Sequence, residues 1–271
     1  MACNDKNREF LSSEWFKEFI KIYRRLNFNN YIILTGGEPF LNMDSLLTAV
    51  TLFNREKFNI EILTSGVWFE KNPEYLNKLV ENGRFSLRIS LDSEHERVVS
   101  LKTISSLIRY SLNLKIVPHF TIREVPNSTN NVDYYRSFLK TNHSELFYDN
   151  IENSRWLHII PHINIPKKSL KTSSNKKLNK KCFLGFKDLI IGADSMLYPC
   201  CGLFSLKNHR NLSVGNPLKL SYEEIIDIFN KREIFKILKD EGPHKLSKKS
   251  DNIIHNCSTI CELCLKLLER L

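Results

Sequence analysis

No run of about 18 apolar residues occurs in this 271-residue chain, so nothing in it reads as a helix able to span a bilayer. The opening ten residues, MACNDKNREF, lack the apolar core of a secretory signal, and the location expected by default is cytoplasmic. No segment repeats. Aromatic residues are missing from both lysine-rich stretches, PKKSLKTSSNKKLNKK (Pro166 to Lys181) and KLSKKS (Lys245 to Ser250). Nucleic-acid binders usually add stacking aromatics or a recognisable module to such charge, so the formal net charge of +10 is read as solvated loops and a nucleic-acid partner is not expected. Cysteine is nearly absent before residue 182: of seven, only Cys3 comes earlier.

What is present describes a globular protein. Apolar residues make up 42% and charged residues 26%, and the length suits one large domain or a large one carrying a small one. From residue 12 strand-like and helix-like patterns alternate. SSEWFKEFIKIYRRL places Trp15, Phe16, Phe19, Ile20 and Tyr23 on one helical face behind a serine cap. YIILTGG, NIEILTSG, RFSLRISLDS, LKIVPHFTIREV and RWLHIIPHINI read as strands, with helical segments between them. Such alternation predicts a parallel sheet, either doubly wound or barrel-like. The pattern stops at Pro166. The expected organisation is a domain over 1–165, a basic linker over 166–181, and a cysteine-rich α+β unit over 182–271. That unit holds two short strands (KDLIIGAD, SMLYPCC), one helix from the Ser221 cap to Gly242 with Glu224 as capping-box partner, and a final helix.

Ligands of parallel α/β folds bind outside the carboxyl ends of the strands, where TGGEP, TSG (Thr64 to Gly66) and SLDS (Ser90 to Ser93) fall. Glycines admit a ligand close to the backbone, and Glu38 is an acceptor for a cationic amine. A tight strand-to-helix turn would use the same residues. Six clustered cysteines in a reducing compartment argue for metal ligation over disulfides. Cys182, Cys200, Cys261 and Cys264 supply four thiolates, suited to tetrahedral zinc or an iron–sulfur cluster; Cys201 and Cys257 are spare, and Cys257-x3-Cys261-x2-Cys264 offers a three-cysteine alternative. No acid–base pair stands out, and His119, His158 and His162 read as satisfied strand histidines.

LTGGEPFL, then TSG and SLDS closing the next two strands, then CFLG, IIGADSMLYPC and CSTICELC in that order, resemble the radical S-adenosylmethionine superfamily, and within it members with a SPASM or twitch auxiliary-cluster extension. The resemblance spans nearly the whole chain. It implies a partial (β/α) TIM-like barrel with a small C-terminal cysteine-rich α+β domain. It also implies S-adenosylmethionine as cofactor, an auxiliary [4Fe-4S] cluster on the C-terminal cysteines, a peptide or small-molecule substrate, and a reductant protein as a further partner. By the same resemblance Gly36, Gly37 and Glu38 bind the cofactor's amino group and Ser90 and Asp92 its ribose or carboxylate, with Arg123 partnering the carboxylate and Ile160 near adenine.

In one respect the chain departs from the family. The family's catalytic [4Fe-4S] cluster is held by Cys-x3-Cys-x2-Cys after the first barrel strand, and reduces the cofactor to release a 5'-deoxyadenosyl radical. Here Cys3 alone corresponds to that motif, and five strands are found where the family has six. Both gaps fall at one edge, so the expectation is a truncated or catalytically impaired chain. The alternative is a non-catalytic metal-binding or scaffold protein of the same fold.

Overall fold

A computed structural model describes residues 11–25, 30–123, 130–147, 157–160, 190–192, 194–200, 209–246 and 260–268. By backbone contacts the chain divides into Met1–Phe16 with Asn29–His162, and Lys17–Phe28 with Ile163–Leu271. The expected linker, 166–181, lies outside the described residues.

The first unit is built on five parallel strands, β1 (Tyr31–Leu34), β2 (Asn59–Thr64), β3 (Ser86–Ser90), β4 (His119–Arg123) and β5 (Leu157–Ile160). All five segments read as strands from the sequence form them. They pair in chain order, β1 to β5, through registers such as Leu34↔Ile62, Thr64↔Ile89, Ser90↔Thr121 and Arg123↔Ile160. A doubly wound sheet reverses its strand order at a switch point. None is reversed here, so of the two expected architectures the sheet is the one wound in a single direction, consistent with a partial (β/α) barrel.

Between the strands run α2 (Met43–Arg55), α3 (Tyr75–Asn82), α4 (Leu101–Asn113) and α5 (Val132–Asn142), after α1 (Ser13–Arg25). Three of the starts have a local cause. Asn42 Oδ1 accepts from Ser45 N at 3.0 Å, Ser100 Oγ from Thr103 N at 3.1 Å, and Asn131 Oδ1 from Tyr134 N at 3.0 Å, each satisfying a donor the helix leaves open. One face of the sheet is a continuous apolar layer: Ile60, Ile62, Leu87, Ile89, Phe120 and Ile122 are all buried.

In the second unit β6 (Ile190–Ile191) and β7 (Leu197–Tyr198) form an antiparallel hairpin. Leu197 also bonds Gly215 and Val214 through its backbone, at 2.8 and 2.7 Å. Leu197 packs with Ile22, Val214, Ile225 and Phe235, while Tyr198 packs with Leu212, Leu238, Leu265 and Leu268. The capping box at Ser221 and Glu224 is present. The single helix expected from Ser221 to Gly242 is not: it breaks into α6 (Tyr222–Lys231), α7 (Glu233–Lys236) and a π-helical turn over Ile237–Glu241. Arg232 causes the first break. Its backbone is extended (φ −68°, ψ 115°), its Nη1 donates to Ser213 O at 2.7 Å, its Nη2 donates to Asn211 O, and its guanidinium lies 5.0 Å from the Phe235 ring centre. A charged fork satisfying two carbonyls outweighs one turn of helical propensity. The last helix, α8, covers Ile260–Leu268.

Ile62 is wholly buried in the apolar layer. Ile62→Ala is expected to cost about 2–5 kcal/mol, read as a lower urea midpoint at an unchanged denaturant slope.

Candidate functional site

The loop leaving β1 turns at Gly36 (φ +99°) and Gly37 (φ +42°), in the left-handed region that favours glycine. A Cβ built at either would meet nothing within 4 Å, so the backbone angle demands glycine and the space above the turn is open. Glu38 follows in extended conformation and caps the 3-10 turn Pro39–Leu41.

Its carboxylate is buried but not idle. Oε1 accepts from Thr64 Oγ1 at 2.7 Å, and from Phe40 N at 3.4 Å; Oε2 accepts from Ser65 N at 2.8 Å and Ser65 Oγ at 2.5 Å. Thr64 Oγ1 in turn accepts from Trp68 Nε1 at 2.9 Å and Gly66 N at 3.0 Å, forming a relay from indole to hydroxyl to carboxylate. Phe40 stacks on Trp68 with centroids 3.8 Å apart and planes 10° from parallel. TGGEP and TSG are thus one hydrogen-bonded body joining the carboxyl ends of β1 and β2. Every one of these partners of Glu38 is neutral, and among the described residues no cation lies within ion-pair distance of it.

The other expected site residues lie on the same sheet. Ser90 closes β3, half-buried and in register with Thr121. Asp92, just beyond, is buried, and Oδ1 accepts from Glu94 N at 3.0 Å and His95 N at 3.1 Å, while Oδ2 stands 2.9 Å from His95 Nδ1. It holds the turn after β3. Arg123 and Ile160 pair in register at the carboxyl ends of β4 and β5. Cys3, Cys182, Cys201 and Cys257 lie outside the described residues. Cys261 is on α8, and Cys200 and Cys264 both pack, half-buried, on the cluster around Tyr198 and Leu268. Among the described residues no three His, Cys, Asp or Glu side chains are grouped as a metal site.

Reading the sequence strand by strand missed a second polar group. Glu61 of β2, its side chain wholly buried, pairs with Arg88 Nη2 of β3 at 2.7 Å, accepts from Tyr31 OH of β1 at 2.6 Å, and lies 3.0 Å from His119 Nδ1 of β4. Burial pushes its carboxyl up, but the bonds from His119 and Tyr31 and the Arg88 charge outweigh this and leave it below the usual carboxylate range. Burial, then the bond to Glu61 and its charge, push the Tyr31 phenol up to about 12. The signal was available: Glu61, Arg88 and His119 share the side of their strands opposite the apolar layer.

Residues 4–132 match the family model described as Radical SAM superfamily. No curated protein matches the chain in sequence. Among solved structures, the fold is similar to native anSMEcpe with bound AdoMet and Kp18Cys peptide, at 14% identity and a TM-score of 0.58 over 92% of this chain and 80% of that one. Native anSMEcpe with bound AdoMet gives 14% and 0.59 over 94% and 80%, and a hexahistidine-tagged form with bound AdoMet gives 13% and 0.59 over 94% and 78%. At such identities the likeness is one of fold. No described helix is long and apolar enough to cross a membrane.

The buried Glu61–Arg88 pair has a pH signature. A carboxyl lowered in the folded state stabilises fully above its unfolded value, about 4.3, and loses that contribution as pH falls through the lower folded one. Glu61→Gln is therefore expected to cost about 3 kcal/mol at pH 7, by leaving Arg88 unmatched. In urea titrations from pH 7 to 3 the gap between variant and wild type should shrink below about pH 4.

Proposed function

We propose that the radical SAM domain binds S-adenosylmethionine at the carboxyl edge of β1 to β3, with the amino group over Gly36 and Gly37 and on Glu38, in a protein of radical SAM enzyme type whose substrate is a peptide or small molecule. One observation carries this reading: a buried carboxylate held only by neutral donors beneath an open two-glycine turn. An ammonium supplies the missing charge, and the Ser65 hydroxyl, free to rotate, can give up its place on Oε2. Ser90 then reaches the ribose or carboxylate, Asp92 contributes mainly by holding the turn behind it, Arg123 partners the carboxylate and Ile160 lies near adenine. The peptide class is supported by the fold likeness to anSMEcpe, described with bound Kp18Cys and Cp18Cys peptides.

For the C-terminal unit the reading is an auxiliary [4Fe-4S] cluster on Cys182, Cys200, Cys261 and Cys264, with Cys201 and Cys257 as substitutes. Soft thiolates suit it, and Cys200 and Cys264 packing on one cluster of side chains supports convergence. The catalytic cluster of the family fits less well. It takes three thiolates, and within these 271 residues Cys3 is the sole cysteine ahead of the sheet. No chemical step is therefore assigned to it.

Calorimetric titration of the 271-residue chain with S-adenosylmethionine is expected to show weak binding, lowered about tenfold or more in Glu38→Gln, since a bond to a charged group is worth about 1.5–3 kcal/mol. Equal affinities would remove Glu38 from the site. After anaerobic reconstitution and reduction, no 5'-deoxyadenosine is expected, and its detection would refute the impaired reading.

A further inference from the structure

The two faces of the sheet differ in kind. Opposite the apolar layer stand Glu61, Arg88, Ser90, His119 and Thr121, on β2, β3 and β4, alternating with the buried aliphatics. On this polar face two groups are left over. Arg88 gives Nη2 to Glu61, but its Nε is buried with no hydrogen-bond partner among the described residues. Thr121 Oγ1 is in the same condition, on a residue 7% exposed. Arg88 pairs in register with His119 and Ser90 with Thr121, so the two orphaned groups are diagonal neighbours on adjacent strands.

Buried polar atoms without partners are rare, because each costs its desolvation without return. A threonine hydroxyl with no use inside the fold could be replaced by a methyl at no loss. The Arg88 Nε–H can only donate and the Thr121 hydroxyl can donate, so one acceptor serves both. Charge decides its kind. The Arg88 cation is already matched by the Glu61 carboxylate, which repels an anion arriving beside it. An uncharged carbonyl oxygen takes two donors and adds no charge. Thr121 lies level with Ser90, the last residue of β3, which puts the bound group beside the strand ends where the cofactor is expected.

We propose that Arg88 Nε–H and Thr121 Oγ1–H form an acceptor-binding subsite on the polar face of the sheet, and that its ligand is a backbone carbonyl of a peptide substrate. The ligand class rests on the peptide reading above; the geometry does not.

Two measurements on the full chain test it. Thr121→Val is expected to unfold at the wild-type temperature or higher; a fall of more than about 4 °C would show the hydroxyl bonded within the fold and overturn the subsite. Kp18Cys peptide carrying a terminal dye, followed by fluorescence anisotropy, is expected to bind wild type and to bind Thr121→Val and Arg88→Lys about tenfold or more weakly. Arg88→Lys keeps a cation beside Glu61 but has no Nε–H. Unchanged affinity in both variants, or no binding to wild type, overturns the proposal. A separate titration of wild type with S-adenosylmethionine tells the two readings apart: its failure removes the cofactor assignment and leaves the Thr121 results to decide the subsite.

Discussion

The bonds from Thr64 and Ser65 to the Glu38 carboxylate are what the carboxyl edge of the sheet depends on. Gly36 and Gly37 contribute no side chains, so the loop after β1 cannot be fixed by its own packing. It is fixed from the next strand, through Thr64 Oγ1 and the Ser65 backbone and hydroxyl, and from the side by Phe40 stacked on Trp68. Trp68 serves twice, as the ring under Phe40 and as the donor that orients the Thr64 hydroxyl toward Glu38. A loop open above its glycines is thereby held from below by hydrogen bonds and ring stacking.

A different constraint governs the body of the sheet. Side chains alternate with period two, so a slip of one residue in β2 would exchange Glu61 for Ile60 or Ile62 and drive a carboxylate into the apolar layer. Arg88, Tyr31 and His119 meet Glu61 in one register only. A buried pair of this kind contributes little net stability against a well-packed apolar alternative, but the cost of misplacing it is large. The Glu61 group thus specifies which face of β2, β3 and β4 is polar, and with it which face Ser90 and Thr121 share.

How much of this the sequence revealed depended on the range of the interaction. Five strands, the helices between them and the capping box at Ser221 were legible, because hydrophobic period and capping chemistry are local. TGGEP, TSG and SLDS were placed correctly at strand ends for the same reason. That Glu38 and Thr64 bond each other was not legible: they are 26 residues apart and only parallel pairing brings them together. The Glu61 group was missed because each member, taken in its own strand, looks like an isolated polar residue. Arg232 ended a helix the local pattern would have continued, since the carbonyls it satisfies, on Ser213 and Asn211, lie 19 and 21 residues earlier in the chain.

The two buried glutamates differ in how their charge is met. Both are acceptors saturated by hydrogen bonds, and both lie on or beside the first two strands. Glu61 is matched by the Arg88 guanidinium 2.7 Å away, so its charge is settled inside the fold. The partners of Glu38 are two hydroxyls' and two amides' worth of neutral dipoles, which solvate a negative charge without cancelling it. In a low-dielectric setting such a charge attracts a cation more strongly than a surface carboxylate does, and the open side of its loop is the two-glycine turn. Two carboxylates beside one sheet, both buried, thus differ in electrostatic state: the Glu61 charge is met inside the architecture, and the Glu38 charge is solvated by neutral dipoles beside the two-glycine turn.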